Sequence, residues 1–210
     1  MKKFNDFVNE LKQQLTKPLP GFEAQLKMTS SERSIESELK AKHNGAKKGA
    51  VLILFYPYRN SVYTVFIQRQ EYEGVHSGQI SFPGGRFEDF DKSLINTALR
   101  EAKEEVGIDI SKVKILGSIS KLYIPPSNFL VLPVIGISNV KPDFCPDNKE
   151  VEEILEIEFS HFLDEKNIAY KEIRVFNKLT INAPCFNIDE KIIWGATAMI
   201  LSELCEIISQ

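Results

Sequence analysis

No apolar run in this 210-residue chain exceeds the seven residues Ala50 to Tyr56, and a bilayer-spanning helix needs about 20. A membrane span is excluded on length. Cysteine is scarce: Cys145, Cys185 and Cys205 are odd in number and share no CxxC or Cys/His spacing, so neither a disulfide framework nor a zinc site is expected. They read as small buried hydrophobes. A basic surplus is missing too, since 26 Lys and Arg face 29 Asp and Glu for a formal charge of −3. A nucleic-acid binder needs a basic surface to displace counterions, so no nucleic-acid partner is expected. Lys2 and Lys3 run into Asn5, Asp6, Asn9 and Glu10 rather than an apolar stretch, so the reading is a cytoplasmic protein without a cleaved signal. Repeats and low-complexity tracts are absent. With 43% hydrophobic and 26% charged residues, the composition is that of an ordinary globular chain.

Length divided by a typical 150 or so residues per domain suggests one domain and an appendage. Phe4, Phe7, Val8, Leu11 and Leu15 make an amphipathic stripe at helical spacing that stops before Lys17-Pro18 and Pro20-Gly21. Residues 1–46 therefore read as an N-terminal helical extension and residues 47–210 as the domain proper. Ala50 to Tyr56 and Val62 to Gln68 are β-prone runs, with Pro57 to Ser61 as a hairpin loop between them. Ser93 to Val106 has helical period; Lys112 to Ile119 and Val131 to Ile137 read as strands, and Tyr170 to Phe176 as a weaker one. Glu150 to Glu158 alternates acids with Val151, Ile154, Leu155 and Ile157, the solvated face of a strand or helix. Trp194 to Ile208 closes the chain as a helix, with Trp194 expected to pack it against the core. The irregular alternation favours a mixed α/β or α+β layered domain over a barrel or doubly wound sheet.

The informative segment is Arg100-Glu101-Ala102-Lys103-Glu104-Glu105-Val106-Gly107. At about 100° per residue, Glu101, Glu104 and Glu105 fall at about 0°, −60° and +40°, beside an apolar face of Ile95, Leu99, Ala102 and Val106. Like charges three and four residues apart destabilise a helix by a few tenths of a kcal/mol per pair, so the cluster is locally unfavourable unless a cation joins it. An all-carboxylate set suits hard ions such as magnesium or manganese. A solvated acidic face is the plain alternative for the triplet alone. Upstream, Phe82-Pro83-Gly84-Gly85-Arg86 is a turn whose glycines let backbone approach a ligand closely.

These residues resemble the Nudix box, G-x5-E-x7-R-E-U-x-E-E-x-G-U, where U is bulky or aliphatic. Arg100, Glu101, Ala102, Glu104, Glu105, Gly107 and Ile108 match its second half. The first half departs: Gly85 lies fifteen residues before Arg100 instead of fourteen, and Lys92 falls where the box has Glu. Either one residue is inserted and Asp91 substitutes, or that Glu is absent. The string Gly74 to Arg86 with Gln68-Arg69 before it is similar to the signature of the coenzyme A pyrophosphatase branch. So are Thr97-Ala98-Leu99-Arg100-Glu101, Pro126-Ser127-Asn128-Phe129-Leu130-Val131-Leu132-Pro133-Val134, and Trp194 to Ala198. The resemblance covers about residues 45–210.

What the resemblance implies is a Nudix-type α/β/α sandwich with a mixed sheet and a loop-helix-loop catalytic motif. Glu101, Glu104 and Glu105, with the carbonyl of Gly85, would ligate Mg²⁺ or Mn²⁺, and Arg100 would orient the carboxylates. A later acid would complete the site; Glu150 is the candidate, with Glu152 and Glu153 as rivals. Gly84 and Gly85 would lie against the substrate, and Arg69 and Arg86 could neutralise its phosphates or simply brace loops. His76 could touch substrate or cap a turn. The implied reaction cleaves the diphosphate of coenzyme A or acyl-CoA to (acyl-)4′-phosphopantetheine and adenosine 3′,5′-bisphosphate. A pyrophosphatase for ADP-ribose, NADH or a nucleoside triphosphate, and a non-catalytic Nudix-like regulator, are the alternatives. The partner is a small molecule, and the protein a monomer or homodimer.

Overall fold

In β1 (Lys47–Tyr58), Ala50, Leu52, Leu54 and Tyr56 join one apolar cluster and Ile53 and Phe55 another, all fully buried. A strand covered on both faces needs a continuous apolar run rather than alternation, which is what Ala50 to Tyr56 supplies. The computed structural model describes residues 2–30, 45–71, 76–175 and 180–210. Gly74, Val75 and Phe176 of the sequence readings, and residues 31–44 of the extension, lie outside them.

The first connection is tighter than the expected loop Pro57 to Ser61. Pro57 and Tyr58 remain in β1 and pair with Val62 and Ser61 of β2 (Ser61–Arg69). Only Arg59 and Asn60 make the turn, both at positive φ (47° and 60°), the conformation whose twist matches that of flanking strands. The main sheet continues with β3 (Ile80–Ser81) on β2, and β4 (Gly84–Arg86) antiparallel to the start of β1. β5 (Lys114–Ser118) and β6 (Leu122–Ile124) both pair with β7 (Phe129–Ile137). β7 runs parallel to β1, and β8 (Val151–Glu158) lies antiparallel on β2. Glu150 to Glu158 is thus largely a strand, with Val151, Leu155 and Ile157 inward. One parallel pair among antiparallel ones makes the sheet mixed.

A second sheet holds β9 (Ile168–Arg174), β10 (Thr180–Ile188) and β11 (Lys191–Trp194). β10 and β11 were not read from the sequence, and β10 carries Pro184 in its interior. β11 pairs with β10 only from Cys185 onward, so Pro184 forfeits no bond on that side.

Helices cover both faces of the main sheet, as the sandwich expectation requires. On one side lie α1 (Lys2–Gln14), α2 (Phe22–Leu26), the single turn α4 (Ser160–Leu163) and α5 (Gly195–Ile208); their Phe4, Val8, Leu11, Phe162 and Leu201 share a core with Ile53 and Phe55. Glu203 of α5, fully buried, accepts hydrogen bonds from Gly21 N (3.2 Å), Ser120 N (3.2 Å) and Gln25 Nε2 (2.8 Å), fixing the chain before β1 to the last helix. On the other side α3 (Leu94–Val106) packs Ala98, Ala102 and Val106 against Ala50, Leu52 and Leu54. Of the cysteines, Cys185 is buried and Cys205 half-buried, but Cys145 is exposed, contrary to expectation; it lies in the loop that crosses Gly107. Among the described residues no helix is long and apolar enough to cross a membrane.

Candidate active site

α3 begins where the Ser93 hydroxyl accepts the Asn96 N–H (3.2 Å) and ends at Gly107, whose φ of 69° gives the left-handed cap. The buried arc differs from the expected one: Ile95 is exposed and Leu99 half-buried, while Thr97, Ala98, Ala102, Glu105 and Val106 are buried. Alanines at 98 and 102 let the helix axis press close to β1. That rotation carries Glu105 inside the protein and Glu101 to its edge, both against the loop before and within β4.

Each carboxylate has a distinct environment. Glu105 is 2% exposed; Oε2 accepts the Gly84 N–H (2.8 Å) and Oε1 lies 3.2 Å from Arg69 Nη2. Burial still pushes its pKa up to about 7, with Glu101 and Glu150 adding repulsion against the lowering effect of Arg69 and Gly84. Burial also raises Glu101, opposed by Arg100 and reinforced by Glu104 and Glu150. Glu104 is 58% exposed and is held by Arg100 Nη1 at 2.9 Å. Among the described residues no three His, Cys, Asp or Glu side chains form a closed ligand set: Arg100 Nη1, also 2.9 Å from Glu101, stands between two of them.

Where the first half of the box departs, Asp91 is the acid that meets Arg100. Its Oδ1 accepts Arg100 Nε (2.7 Å) and its Oδ2 accepts Arg100 Nη2 (3.0 Å), the Thr97 hydroxyl (2.9 Å) and the Glu88 N–H (2.9 Å). The Arg100 guanidinium holds this buried carboxyl down to about 2 from its ordinary 3.8. The chain absorbs the extra residue in the one-turn segment Asp89–Asp91 and in Lys92, at φ 65°. Asp91 therefore anchors Arg100, and Arg100 also donates to the Arg86 carbonyl (2.9 Å).

The other expected residues separate into bracing and free groups. Arg69 donates to the Gly84 carbonyl (3.0 Å) besides pairing with Glu105, so it braces the loop. Arg86 is 62% exposed and only loosely paired with Glu88 at 3.8 Å. His76 Nδ1 sits 3.0 Å from Gln79 Oε1, a contact within its own turn. Glu150 is exposed, with its carbonyl accepting the Gln70 N–H (3.1 Å), yet near enough to raise both Glu101 and Glu105.

The two glycines do different work. A Cβ on Gly84 would stand 2.4 Å from the Ala50 carbonyl and 2.5 Å from Val51 Cα, whereas one on Gly85 would stand 2.6 Å from the Glu101 carboxyl. Gly84→Ala is therefore expected to cost about 3 kcal/mol, because sheet backbone cannot yield. Gly85→Ala displaces only a side-chain end and should lose function with a much smaller fall in stability. Denaturant titration beside an activity assay separates the two.

From Gly84, Gly85, Arg69 and Arg86 a cavity of about 910 Å³ runs inward between β4, β7 and α5. Its other walls come from segments that sequence reasoning had not joined to the site: Met28 and Thr29 before β1, Ile124 at the end of β6, Ser127 between β6 and β7, and the start of α5. Trp194, expected only to pack the last helix, is half-buried and lines this cavity.

A helix that sets Glu101 and Glu105 against a Gly-Gly loop, with its arginine locked by an acid upstream, joins the two halves of the motif read from the sequence. The chain belongs to the Nudix family, whose NUDIX domain matches residues 46–172. The mouse (Mus musculus) mitochondrial coenzyme A diphosphatase NUDT8 is 32% identical over 131 residues, 60% of this chain and 61% of that protein. The human (Homo sapiens) protein of that name is 30% identical over 128 residues, 60% of this chain and 54% of its own length. Nudix hydrolase 22, chloroplastic, of Arabidopsis thaliana is 32% identical over 176 residues, covering 78% and 56%. The chain thus spans somewhat over half the length of these curated relatives. Among solved structures, the MutT/nudix family protein from Enterococcus faecalis aligns with TM-score 0.49 and 13% identity over 86% of this chain and 71% of that one.

Proposed function

We propose that this chain is a divalent-cation-dependent diphosphatase that cleaves coenzyme A or acyl-CoA to (acyl-)4′-phosphopantetheine and adenosine 3′,5′-bisphosphate. The observation that carries this reading is the placement of Glu101 and Glu105 against Gly85 and Gly84, two residues that line a mostly apolar cavity of about 910 Å³. The naming of two relatives as coenzyme A diphosphatases supports the substrate.

The residues fit a hard cation. Their donors are all oxygens, two of the three carboxyls are raised by burial and mutual repulsion, and a positive ion relieves both effects. Glu101, Glu104 and Glu105 would hold Mg²⁺ or Mn²⁺, with the Gly85 carbonyl as a further ligand. When bound, such an ion polarises phosphoryl oxygens and lowers the pKa of coordinated water. Arg100 stays fixed on Asp91 and steers Glu101 and Glu104; Arg86 would pair with a phosphate through its exposed guanidinium. Glu150, exposed and near enough to Glu101 and Glu105 to add to their repulsion, would serve as the general base. His76 and Arg69 shape the mouth through Gln79 and Gly84. We read residues 1–46 as an extension, of which residues 2–30 pack onto the domain at 47–210.

The deciding assay sets coenzyme A beside ADP-ribose, NADH and a nucleoside triphosphate, each with Mg²⁺ and with Mn²⁺. Preference for coenzyme A, with both halves of the split diphosphate recovered, is the expected result; preference for another substrate, or binding without turnover, would overturn it. At a hundredfold excess over its dissociation constant, the effective ion should stabilise the fold by about 2.7 kcal/mol. For a chain of this size that is a rise in melting temperature of about 5 to 10 °C.

A further inference from the structure

Three of the segments that line the cavity meet at one buried carboxyl, that of Glu203 in α5. Its Oε1 accepts the Gly21 and Ser120 N–H groups, each at 3.2 Å, and its Oε2 accepts Gln25 Nε2 at 2.8 Å. Gln25 also donates to the Ser120 carbonyl (3.3 Å), and the Ser202 hydroxyl to the Ala24 carbonyl (2.7 Å). From this junction each segment reaches the cavity within a few residues. After α2 the chain turns through bonds from Met28 N to the Gln25 carbonyl (3.2 Å) and from Thr29 N to the Leu26 carbonyl (3.1 Å), and Met28, Thr29 and Ser30 line the space. The chain after Ser120 supplies Ile124 and Ser127, and α5 supplies its own first turns. There the buried Thr197 hydroxyl donates to the Ile80 carbonyl (3.0 Å), fixing α5 to β3 just before the catalytic loop. From Thr197 to Glu203 is six residues, about 9 Å of helix. α5 is thus a strut that holds the extension at a set spacing from that loop.

We propose that residues 28–30, which lie outside the matched family region of residues 46–172, are a substrate-selecting wall for the aliphatic part of the group carried on the diphosphate, and that Glu203 is the positioning residue that holds this wall. Docking the extension for stability alone needs only apolar contact, which has no preferred direction. Three N–H groups converging on one carboxyl instead fix distance and angle, the support that a binding surface requires of the residues behind it. The part of the ligand that meets this wall is apolar, because Phe82, Trp194 and Met199 line the same space. Methionine at position 28 suits such a surface, since its unbranched thioether adapts to chains of different shape. This inference rests on the reading of the site as a diphosphatase, which sets the diphosphate at Gly84 and Gly85.

Calorimetry with Mg²⁺ compares octyl phosphate, an aliphatic arm on a phosphate, with adenosine 3′,5′-bisphosphate, which has no such arm, on the full chain and on Met28→Ala, Met28→Leu and Glu203→Gln. Met28→Ala should weaken octyl phosphate about 4- to 15-fold, the contact of one to two methylene groups, and leave the bisphosphate within twofold. Met28→Leu, which keeps the volume, should restore octyl phosphate to within about twofold of the wild type. In Glu203→Gln an amide nitrogen faces Gln25 Nε2, donor against donor, so Gln25 must turn and give up the Ser120 carbonyl. Octyl phosphate should then weaken about three- to tenfold, the scale of one hydrogen bond, again without the bisphosphate following. Equal weakening of both ligands would make these residues merely structural and overturn the proposal. So would octyl phosphate affinity unchanged in Met28→Ala or in Glu203→Gln, or no octyl phosphate binding by the wild type. Selective loss in a protein that cleaves only other diphosphates would instead sustain the wall and overturn the assigned reaction.

Discussion

Glu104→Gln is expected to lower the rate of diphosphate cleavage by about 10³-fold, the equivalent of roughly 4 kcal/mol of charge stabilisation, while the melting temperature stays within about 1 °C. The two outcomes separate because Glu104 is largely in solvent: its pairing with Arg100 is an exposed contact one helical turn away, a kind that contributes little to stability. Gln keeps the shape and one acceptor oxygen but loses the charge a divalent ion requires. Glu105→Gln should be as inactive but less stable, since it leaves the mostly buried Arg69 facing a neutral group. Steady-state rates across a range of Mg²⁺ and Mn²⁺, set beside thermal melts, check both variants. Retention of full turnover in Glu104→Gln would remove that residue from the cation site.

Asp91→Asn should destabilise the fold by about 3 kcal/mol, which corresponds to roughly 6 to 12 °C in a chain of this length. Asp91 is nearly inaccessible and accepts from Arg100 twice, from Thr97 and from Glu88. An amide supplies one acceptor oxygen and presents an N–H₂ where two N–H groups already point. Released from its anchor, Arg100 can settle more fully on Glu101 and Glu104, so cation affinity should fall about 10- to 100-fold as well. The pH dependence has a definite sign. Because the folded carboxyl lies at about 2 and its ordinary value is 3.8, its contribution is present above about pH 4 and is lost as pH falls toward 2. In the wild type, stability therefore declines through that window, and in Asp91→Asn the decline is shallower. Denaturant titrations at pH 5, 4, 3 and 2 measure the difference; parallel curves would show that Asp91 does not carry the acid sensitivity.

The helix and its acids were legible because helical spacing and charge are local properties: Glu101, Glu104 and Glu105 fall within about 100° of arc whatever surrounds them. The spine strand was legible for a similar reason, since a run buried on both faces needs no partner to be recognised as apolar. The site's departure from the box could be stated from sequence but not resolved. Counting placed Lys92 where Glu was expected, and only backbone geometry, with Lys92 at φ 65°, shows the chain stepping over it so that Asp91 reaches Arg100. Arg69 and Arg86 looked equivalent as sequence. Tertiary contacts made the first a brace for Gly84 and Glu105 and left the second open to solvent.

By itself, then, the sequence determined the layered α/β character, the acidic helix and the glycine turn before it, all of which follow from periodicity and from steric rules of the local backbone. Only the tertiary structure decided which acid holds Arg100, that small alanines draw Glu105 inside, and that Met28, Thr29, Ser127 and Trp194 surround one cavity. Those residues lie up to 166 positions apart in the chain, from 28 to 194. They meet because β7 runs parallel to β1 and because Glu203 ties the segment before β1 to the last helix, and such long-range closures leave no periodic trace in sequence.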